Sequence, residues 1–132
     1  MIVWSAKDKE VHGMAKSYEE MLEEAREETE QTGPDAVRDA LVSREDIIIL
    51  DVREPDEWEE GHIKGAKHLP RGLLESRAAD ELPNTSARIF THCASGGRGT
   101  LAARTLGEMG YTNVANMEGG ITAWQEKGYE IE

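Results

Sequence analysis

The stretch RIFTHCASGGRGTLAARTLGEMG (residues 88–110) combines an apolar segment, a run of small residues and an amphipathic helix pattern. Ile89 and Phe90 lie at the centre of the first segment, which predicts a buried strand over residues 88–91. A helix is predicted to open around residues 98–99, its apolar residues in segment 100–109 recur on one face, and Gly110 ends it. A strand joined to a helix by a tight loop is the repeating unit of an α/β fold.

The same alternation extends from residue 34 to the C-terminus. Further strands are predicted at residues 47–50, 67–69 and 114–117, and helices around residue 40 and at residues 55–60, 71–79 and 121–127. Short apolar strands separated by amphipathic helices predict a parallel sheet with helices on both faces. Ligands of such sheets bind beyond the carboxyl ends of the strands. Asp51 and Cys93 directly follow two of the strands, so both are candidate site residues.

Residues 1–33 differ from the remainder and are interpreted as an N-terminal extension to a domain formed by residues 34–132. Ser17 and Glu20 form a capping-box pattern, and an apolar stripe follows on one helical face before Gly33. Seven glutamates between Glu19 and Glu30 make the opposite face acidic. We expect this helix to pack on the domain or on a second copy of the chain, which would form a homodimer. The alternative is a helix that recruits another partner.

Composition excludes several classes of protein. The 132 residues carry a net charge of −12, which opposes binding to nucleic acid. No apolar segment approaches the roughly 18 residues that a membrane span requires. The single cysteine cannot form an internal disulfide, and the N-terminal residues lack the pattern of a secretory signal. A cytoplasmic protein is therefore expected. The histidines match no metal-ligand spacing with the cysteine, so neither a metal nor a cofactor is predicted.

The loop after Cys93 indicates a reactive cysteine. The residues that follow are Ala94, Ser95, Gly96 and Gly97, and then Arg98. Small residues let successive N–H groups converge on an anion, and a helix N-terminus adds further donors. Such a loop stabilises a thiolate, which is a nucleophile. The alternative is an inert buried cysteine beside a turn. The segment 97–102 also fits a dinucleotide-binding fingerprint, although too few elements follow it for that fold.

Three motifs together resemble a single-domain rhodanese, a family of sulfurtransferases. They are DVREPDEWEEGHIKGAKHLP (residues 51–70), CASGGRG (residues 93–99) and GYTNVANMEGGITAWQEKGYEI (residues 110–131). The resemblance implies a parallel sheet of about five strands and no cofactor. It also implies that Cys93 takes a sulfane sulfur from a donor such as thiosulfate or a persulfide. The resulting persulfide would pass the sulfur to a thiol, to a cyanide-like acceptor or to an acceptor protein.

The resemblance also implies roles for the other candidate residues. The backbone amides of residues 94–98 would cradle the sulfur, and Arg98 would favour the anion. Asp51 and His62 match motif positions that brace the region around the loop. Phosphatases and arsenate reductases of similar fold have a loop one residue longer, so the four residues between Cys93 and Arg98 favour sulfur chemistry. A persulfide carrier or docking module with little turnover remains the alternative.

One position departs from the family pattern. Many relatives that use thiosulfate carry Arg or Lys directly after the cysteine, where this chain has Ala94. Because Arg98 is then the only cation of the loop, thiosulfate is expected to be a poor donor. Arg71 follows the predicted strand at residues 67–69, and we expect it to supply the missing charge at the mouth of the site.

Overall fold

The computed structural model describes residues 15–43 and 46–132. Five parallel strands form one sheet in the order β1-β5-β4-β2-β3. The strands are β1 (Glu30–Thr32), β2 (Ile47–Asp51), β3 (Lys67–His68), β4 (Arg88–His92) and β5 (Val114–Met117). The predicted α/β fold with a five-stranded parallel sheet is therefore confirmed.

Six α-helices and one short 3₁₀ helix are present among the described residues. The α-helices are α1 (Tyr18–Glu28), α2 (Pro34–Val42), α3 (Pro55–Glu60), α4 (Leu74–Glu81), α5 (Gly97–Glu108) and α6 (Gly120–Glu126). The 3₁₀ helix, Arg71–Leu73, precedes α4 directly. No helix in the described part of the chain is long and apolar enough to cross a membrane.

Two apolar clusters cover the two faces of the sheet, as the alternation of side chains along a strand requires. In β2, Leu50 packs with α4 and α5, whereas Ile49 packs with α2 and α6. In β4, Ile89 joins the first cluster and Phe90 the second. Because both faces are covered, the strands are buried, which explains their nearly continuous apolar sequences.

The N-terminal helix forms as its capping pattern predicts. The Glu20 amide donates to the Ser17 hydroxyl at 3.1 Å, and the Ser17 amide donates to the Glu20 carboxylate at 3.0 Å. The helix packs along α5, where Arg104 forms an ion pair with Glu28 at 3.7 Å. Packing on the domain is thus one of the two expected arrangements, and a homodimer stays a prediction. Residues 1–14 of the predicted extension lie outside the described residues.

Two boundaries differ from those predicted. α1 ends at Glu28 rather than at Gly33, because residues 30–32 form β1 and pair with β5. The sheet therefore includes residues that the sequence assigned to the extension. α5 begins at Gly97, one or two residues before the predicted opening at residues 98–99, and Gly99 lies within the helix rather than in the loop. A Cβ at Gly99 would overlap the Asn116 side chain and lie 3.0 Å from the His92 Cα, which explains why a glycine stands there.

Candidate active site

Cys93 follows β4 and lies at the base of the loop that leads into α5. The residue is only 2% exposed. Its Sγ accepts a hydrogen bond from the Gly96 amide at 3.1 Å. Gly96 adopts a φ of 143°, a conformation that side chains disfavour, and this turn aims its N–H at the sulfur. The loop therefore places a backbone donor and the first turn of a helix next to a sulfur nucleophile.

The outer side of the loop is held by the start of α6. The Ile121 amide donates to the Cys93 carbonyl at 2.9 Å, and the Thr122 amide donates to the Ala94 carbonyl at 3.1 Å. Gly120, with a φ of 55°, allows this approach, because a Cβ there would overlap the Cys93 carbonyl oxygen. The loop carbonyls thus bond to α6, away from the sulfur. This support explains the glycine pair in the third sequence motif.

Arg98 is the second residue of α5 and is paired with Glu57 of α3. Its two terminal nitrogens donate to the two carboxylate oxygens at 2.6 and 3.0 Å. Arg98 lowers the pKa of Glu57 from 4.5 to about 2, and the Glu54 amide assists by donating to the same carboxylate. Glu57 in turn raises the pKa of Arg98, and the Cys93 sulfur acts in the same direction. The only cation in the loop sequence is therefore largely offset by a neighbouring carboxylate.

Asp51 is fully buried and orients a basic group, Arg53. The Arg53 Nη2 donates to Oδ2 at 2.7 Å, and its Nε donates to Oδ1 at 3.0 Å. The remaining donors of Arg53 reach the backbone carbonyls of Glu57 at 3.2 Å and of Gly61 at 2.8 Å. Asp51 thus anchors α3 to the sheet, and α3 carries the partner of Arg98. The hydrogen bonds of the Asp51 carboxylate thus connect it with Arg53 rather than with the Cys93 sulfur.

His62 lies at the end of α3, away from the sulfur. Its Nδ1 donates to the Trp58 carbonyl at 3.0 Å, and its ring stacks on the Trp58 indole with centroids 3.6 Å apart. His68 stacks on the same indole at 4.8 Å and donates to the Arg53 carbonyl at 2.8 Å. The two histidines are therefore structural neighbours through Trp58. Within the described residues, no group of three or more His, Cys, Asp or Glu side chains could hold a metal ion.

Arg71 lies in the 3₁₀ helix and contacts the middle of α5. Its guanidinium donates to both carboxylate oxygens of Glu75, at 2.9 and 3.1 Å, and to the Thr105 hydroxyl at 3.1 Å. Thr105 is seven residues beyond Arg98, or about 10 Å along the helix. The hydrogen bonds therefore direct the charge of Arg71 to α4 and α5, and not to the mouth of the loop where we expected it.

His92 directly precedes Cys93 and is fully buried. Its Nδ1 donates to the Cys93 carbonyl at 3.1 Å, and its Nε2 lies 3.8 Å from the Asp51 carboxylate. Burial lowers the pKa of His92, although the negative charge of Asp51 opposes the effect. A neutral His92 imidazole therefore supports the loop through its hydrogen bond to the Cys93 carbonyl. The hydroxyl of Thr91 adds a second support, because it donates to the Gly99 carbonyl at 2.8 Å.

The sequence did not identify Glu57, Arg53 or Gly120 as site residues. Glu54 and Glu57 do match a capping-box spacing, which signals the helix but not the ion pair with Arg98. Gly120 belongs to a quoted motif, yet only the folded chain shows its approach to the loop. The positions that sequence reasoning found are those adjacent to Cys93 along the chain. The positions that it missed reach the loop from distant elements.

The chain is similar to known proteins both in its sequence and in its fold. Residues 33–127 match the model of the rhodanese-like domain. A putative sulfur carrier protein, YrkF of Bacillus subtilis, is 41% identical over 93 residues, which cover 70% of this chain and 49% of that protein. A sulfurtransferase of Allochromatium vinosum is 36% identical over 91 residues, which cover 69% of this chain and 83% of that protein. The chain thus spans about half the length of YrkF.

A solved structure extends the similarity beyond the family match. Protein RPA3614 of Rhodopseudomonas palustris, described as of unknown function and a possible tyrosine phosphatase, superposes with a TM-score of 0.79 at 33% identity. The superposition covers 90% of this chain and 96% of that one. Since the family match spans most of the chain and includes the complete Cys93 loop, this protein belongs to the family of rhodanese-like domains.

Proposed function

We propose that the protein is a sulfurtransferase that carries a sulfane sulfur on Cys93 as a persulfide. The observation that carries the proposal is the hydrogen bond from the Gly96 amide to Sγ, inside a loop of small residues. A donor that points at the sulfur stabilises a thiolate and then the negative charge of a persulfide. Relatives named as sulfurtransferases and as a sulfur carrier support the same chemistry.

The first half-reaction loads the enzyme. The Cys93 thiolate attacks the outer sulfur of thiosulfate, and a new S–S bond forms to Sγ. The original S–S bond breaks, and its electron pair leaves with sulfite. Charge is conserved, because a thiolate and a dianion become a persulfide monoanion and the sulfite dianion. The amide of Gly96 and the N-terminus of α5 stabilise the negative charge that develops on the new outer sulfur.

The second half-reaction unloads the sulfur. A nucleophile such as cyanide or a thiolate attacks the outer sulfur, and the bond to Sγ breaks with its electron pair returning to Cys93. Thiocyanate or a new persulfide leaves, and the resting thiolate is restored. Because Cys93 is the only cysteine of the chain, no second thiol of this chain competes for the sulfur.

Two other functions are weighed against this one. A persulfide carrier that serves a partner protein is favoured by the relative named as a putative sulfur carrier. A phosphatase-like reaction has one structural neighbour described as a possible tyrosine phosphatase. Four residues separate Cys93 from Arg98, and the pairing of Arg98 with Glu57 leaves little net charge for a phosphate dianion. Sulfur chemistry is therefore the better fit.

Intact-mass measurement tests the proposal. After incubation with thiosulfate, a low-molecular-weight persulfide or polysulfide, the protein should gain the mass of one sulfur atom. Cyanide should remove it with release of thiocyanate, and Cys93→Ser should never gain it. A wild-type protein that stays unmodified with all three donors would refute the proposal, provided that its unfolding transition shows it to be folded.

A kinetic comparison separates enzyme from carrier. A sulfurtransferase should turn over many equivalents of thiosulfate and cyanide per Cys93, whereas a carrier should stop after one equivalent unless an acceptor protein is added. Hydrolysis of an aryl phosphate by the wild type that is lost in Cys93→Ser would instead favour the phosphatase reaction.

A further inference from the structure

The N-terminal helix α1 lies directly against the candidate site. The Tyr18 hydroxyl occupies the place where a Cβ of residue 97 would be, so only glycine at that position admits it. The Leu22 side chain lies 3.9 Å from the same place. Both residues are on the face of α1 that packs along α5. The helix therefore forms a wall beside the first turn of α5, although it lies outside the family match at residues 33–127.

Arg26, two turns further along α1, reaches back toward the loop. Its Nη2 lies 3.9 Å from the place of a Cβ at Gly96, the residue whose amide donates to Sγ. These contacts, with standard bond lengths, place the guanidinium within about 10 Å of the sulfur. Long side chains of a helix lean toward its N-terminus, which is the end of α1 that lies at the loop. A positive charge is thus held close to the nucleophile.

Within the described residues, the charge of Arg26 is not paired with a carboxylate. Across residues 15–43 and 46–132 its guanidinium forms no ion pair and no hydrogen bond, and the side chain is exposed. Arg98, the arginine of the loop itself, is engaged by Glu57. An anion that approaches Cys93 would therefore meet Arg26 as the available cation.

We propose that Arg26 binds the anionic end of the sulfur donor and orients it toward Cys93, with α1 as the wall of the donor pocket. The inference rests on the proposed function and adds to it the recognition of the donor. Arg26 would then bind the anionic donor in place of an Arg or Lys directly after the cysteine, where this chain carries Ala94. The donor class is then a thiosulfonate-type anion, whose oxygens match the planar donors of a guanidinium.

Alkylation of the single cysteine tests the charge without depending on sulfur transfer. Iodoacetate and iodoacetamide are similar in size but differ by one negative charge, and each reacts when the Cys93 thiolate displaces iodide. Steric access to Cys93 and its thiolate fraction affect both rates equally, so they drop out of the ratio of the two rates. Arg26→Gln should lower the relative rate of iodoacetate about two- to fivefold at low ionic strength. The effect should shrink in about 1 M salt, where screening acts over roughly 3 Å.

Two further variants serve as controls. Arg77 of α4 is exposed and forms no ion pair with the described residues, so Arg77→Gln makes the same change in net charge away from α1. Its rate ratio should equal that of the wild type. Arg26→Lys keeps the charge and should keep most of the preference. If Arg26→Gln and Arg77→Gln give the same ratio, and both are folded, Arg26 does not act on the site.

Kinetics with thiosulfate complete the test. Arg26→Gln should raise KM severalfold with kcat largely retained, because the contact is made in binding rather than only in the transition state. Loss of the iodoacetate preference without any change in KM would refute a role in donor binding. If the wild type takes sulfur from no donor, the proposed function fails, whereas the alkylation ratio still decides whether Arg26 acts on Cys93.

Discussion

The ion pair between Glu57 and Arg98 joins α3 to the active loop, and Glu57→Gln is the change that removes its charge. Arg98 lowers the pKa of Glu57 from 4.5 to about 2, which corresponds to about 3 kcal/mol at neutral pH. The two side chains are 28% and 37% exposed, so solvent screening reduces the expected contribution to about 1–2 kcal/mol. We expect Glu57→Gln to lower the free energy of unfolding by that amount at pH 7.

The pH dependence has a definite sign. The pKa of Glu57 is lower in the folded chain than in the unfolded chain, so folding is favoured by ionisation of this carboxylate. The stabilisation is complete above the unfolded value of about 4.5 and is lost as pH falls toward 2. The difference between wild type and Glu57→Gln should therefore fall to about half or less by roughly pH 3.

Urea unfolding from pH 7 to pH 3 measures this difference. Glu59 lies on the same helix, is exposed and forms no ion pair with the described residues, so Glu59→Gln is the matched control. A double-mutant cycle with Arg98→Gln should give a coupling energy of about 1–2 kcal/mol. Equal stability of Glu57→Gln and Glu59→Gln at every pH, with a coupling near zero, would refute the reasoning.

Three further variants test the supports of the loop. Gly120→Ala should lower the free energy of unfolding, measured in urea, by about 2–4 kcal/mol and slow the modification of Cys93. The reason is that the added Cβ overlaps a backbone carbonyl at a residue with positive φ, and unchanged stability would contradict this packing. Gly97→Ala should change stability by less than about 1 kcal/mol, since only the mobile end of the Tyr18 side chain must move, and a cost as large as that of Gly120→Ala would argue against it. Burial lowers the pKa of His92, so the wild type should lose stability as pH falls below about 6.5. His92→Asn should weaken that dependence, and an identical pH profile of stability in the two proteins would show that His92 does not contribute.

Local patterns predicted most of the fold correctly. Ile47 to Leu50 and residues 88–91 are apolar and short, so their strands and the parallel sheet follow from composition alone. β1 was missed because Glu30, Gln31 and Thr32 carry no apolar pattern; the strand forms only through pairing with β5. The sequence predicts the start of α5 to within two residues but leaves Gly99 between loop and helix, because glycine disfavours a helix and the close approach of Gly99 to β4 is a tertiary effect.

The residues of the candidate site also fall into those that the sequence predicts and those that it does not. Cys93 and its loop can be predicted because strand, small residues and helix are contiguous in the chain. The pairing of Arg98 with Glu57 spans 41 positions, and no pattern in the sequence connects the two. The expected contribution of Arg71 was argued from its position after a strand, but Glu75 on the next helical turn and Thr105 on α5 bond to it instead. Ion pairs between distant elements depend on packing angles that periodicity does not encode.

Under the proposed function, the distribution of charge around Cys93 assigns the holding of sulfur and the recognition of its donor to different groups. Since Glu57 offsets Arg98, the loop acts on the sulfur mainly through the Gly96 N–H and the dipole of α5. Dipoles of this kind suit a persulfide, which carries one negative charge, better than a phosphate dianion. Arg26 lies on α1, a helix outside residues 33–127, the part of the chain that matches the family model. On the proposed role of Arg26, a change in the helix that packs beside the loop should alter donor preference and leave the chemistry proposed for Cys93 unchanged.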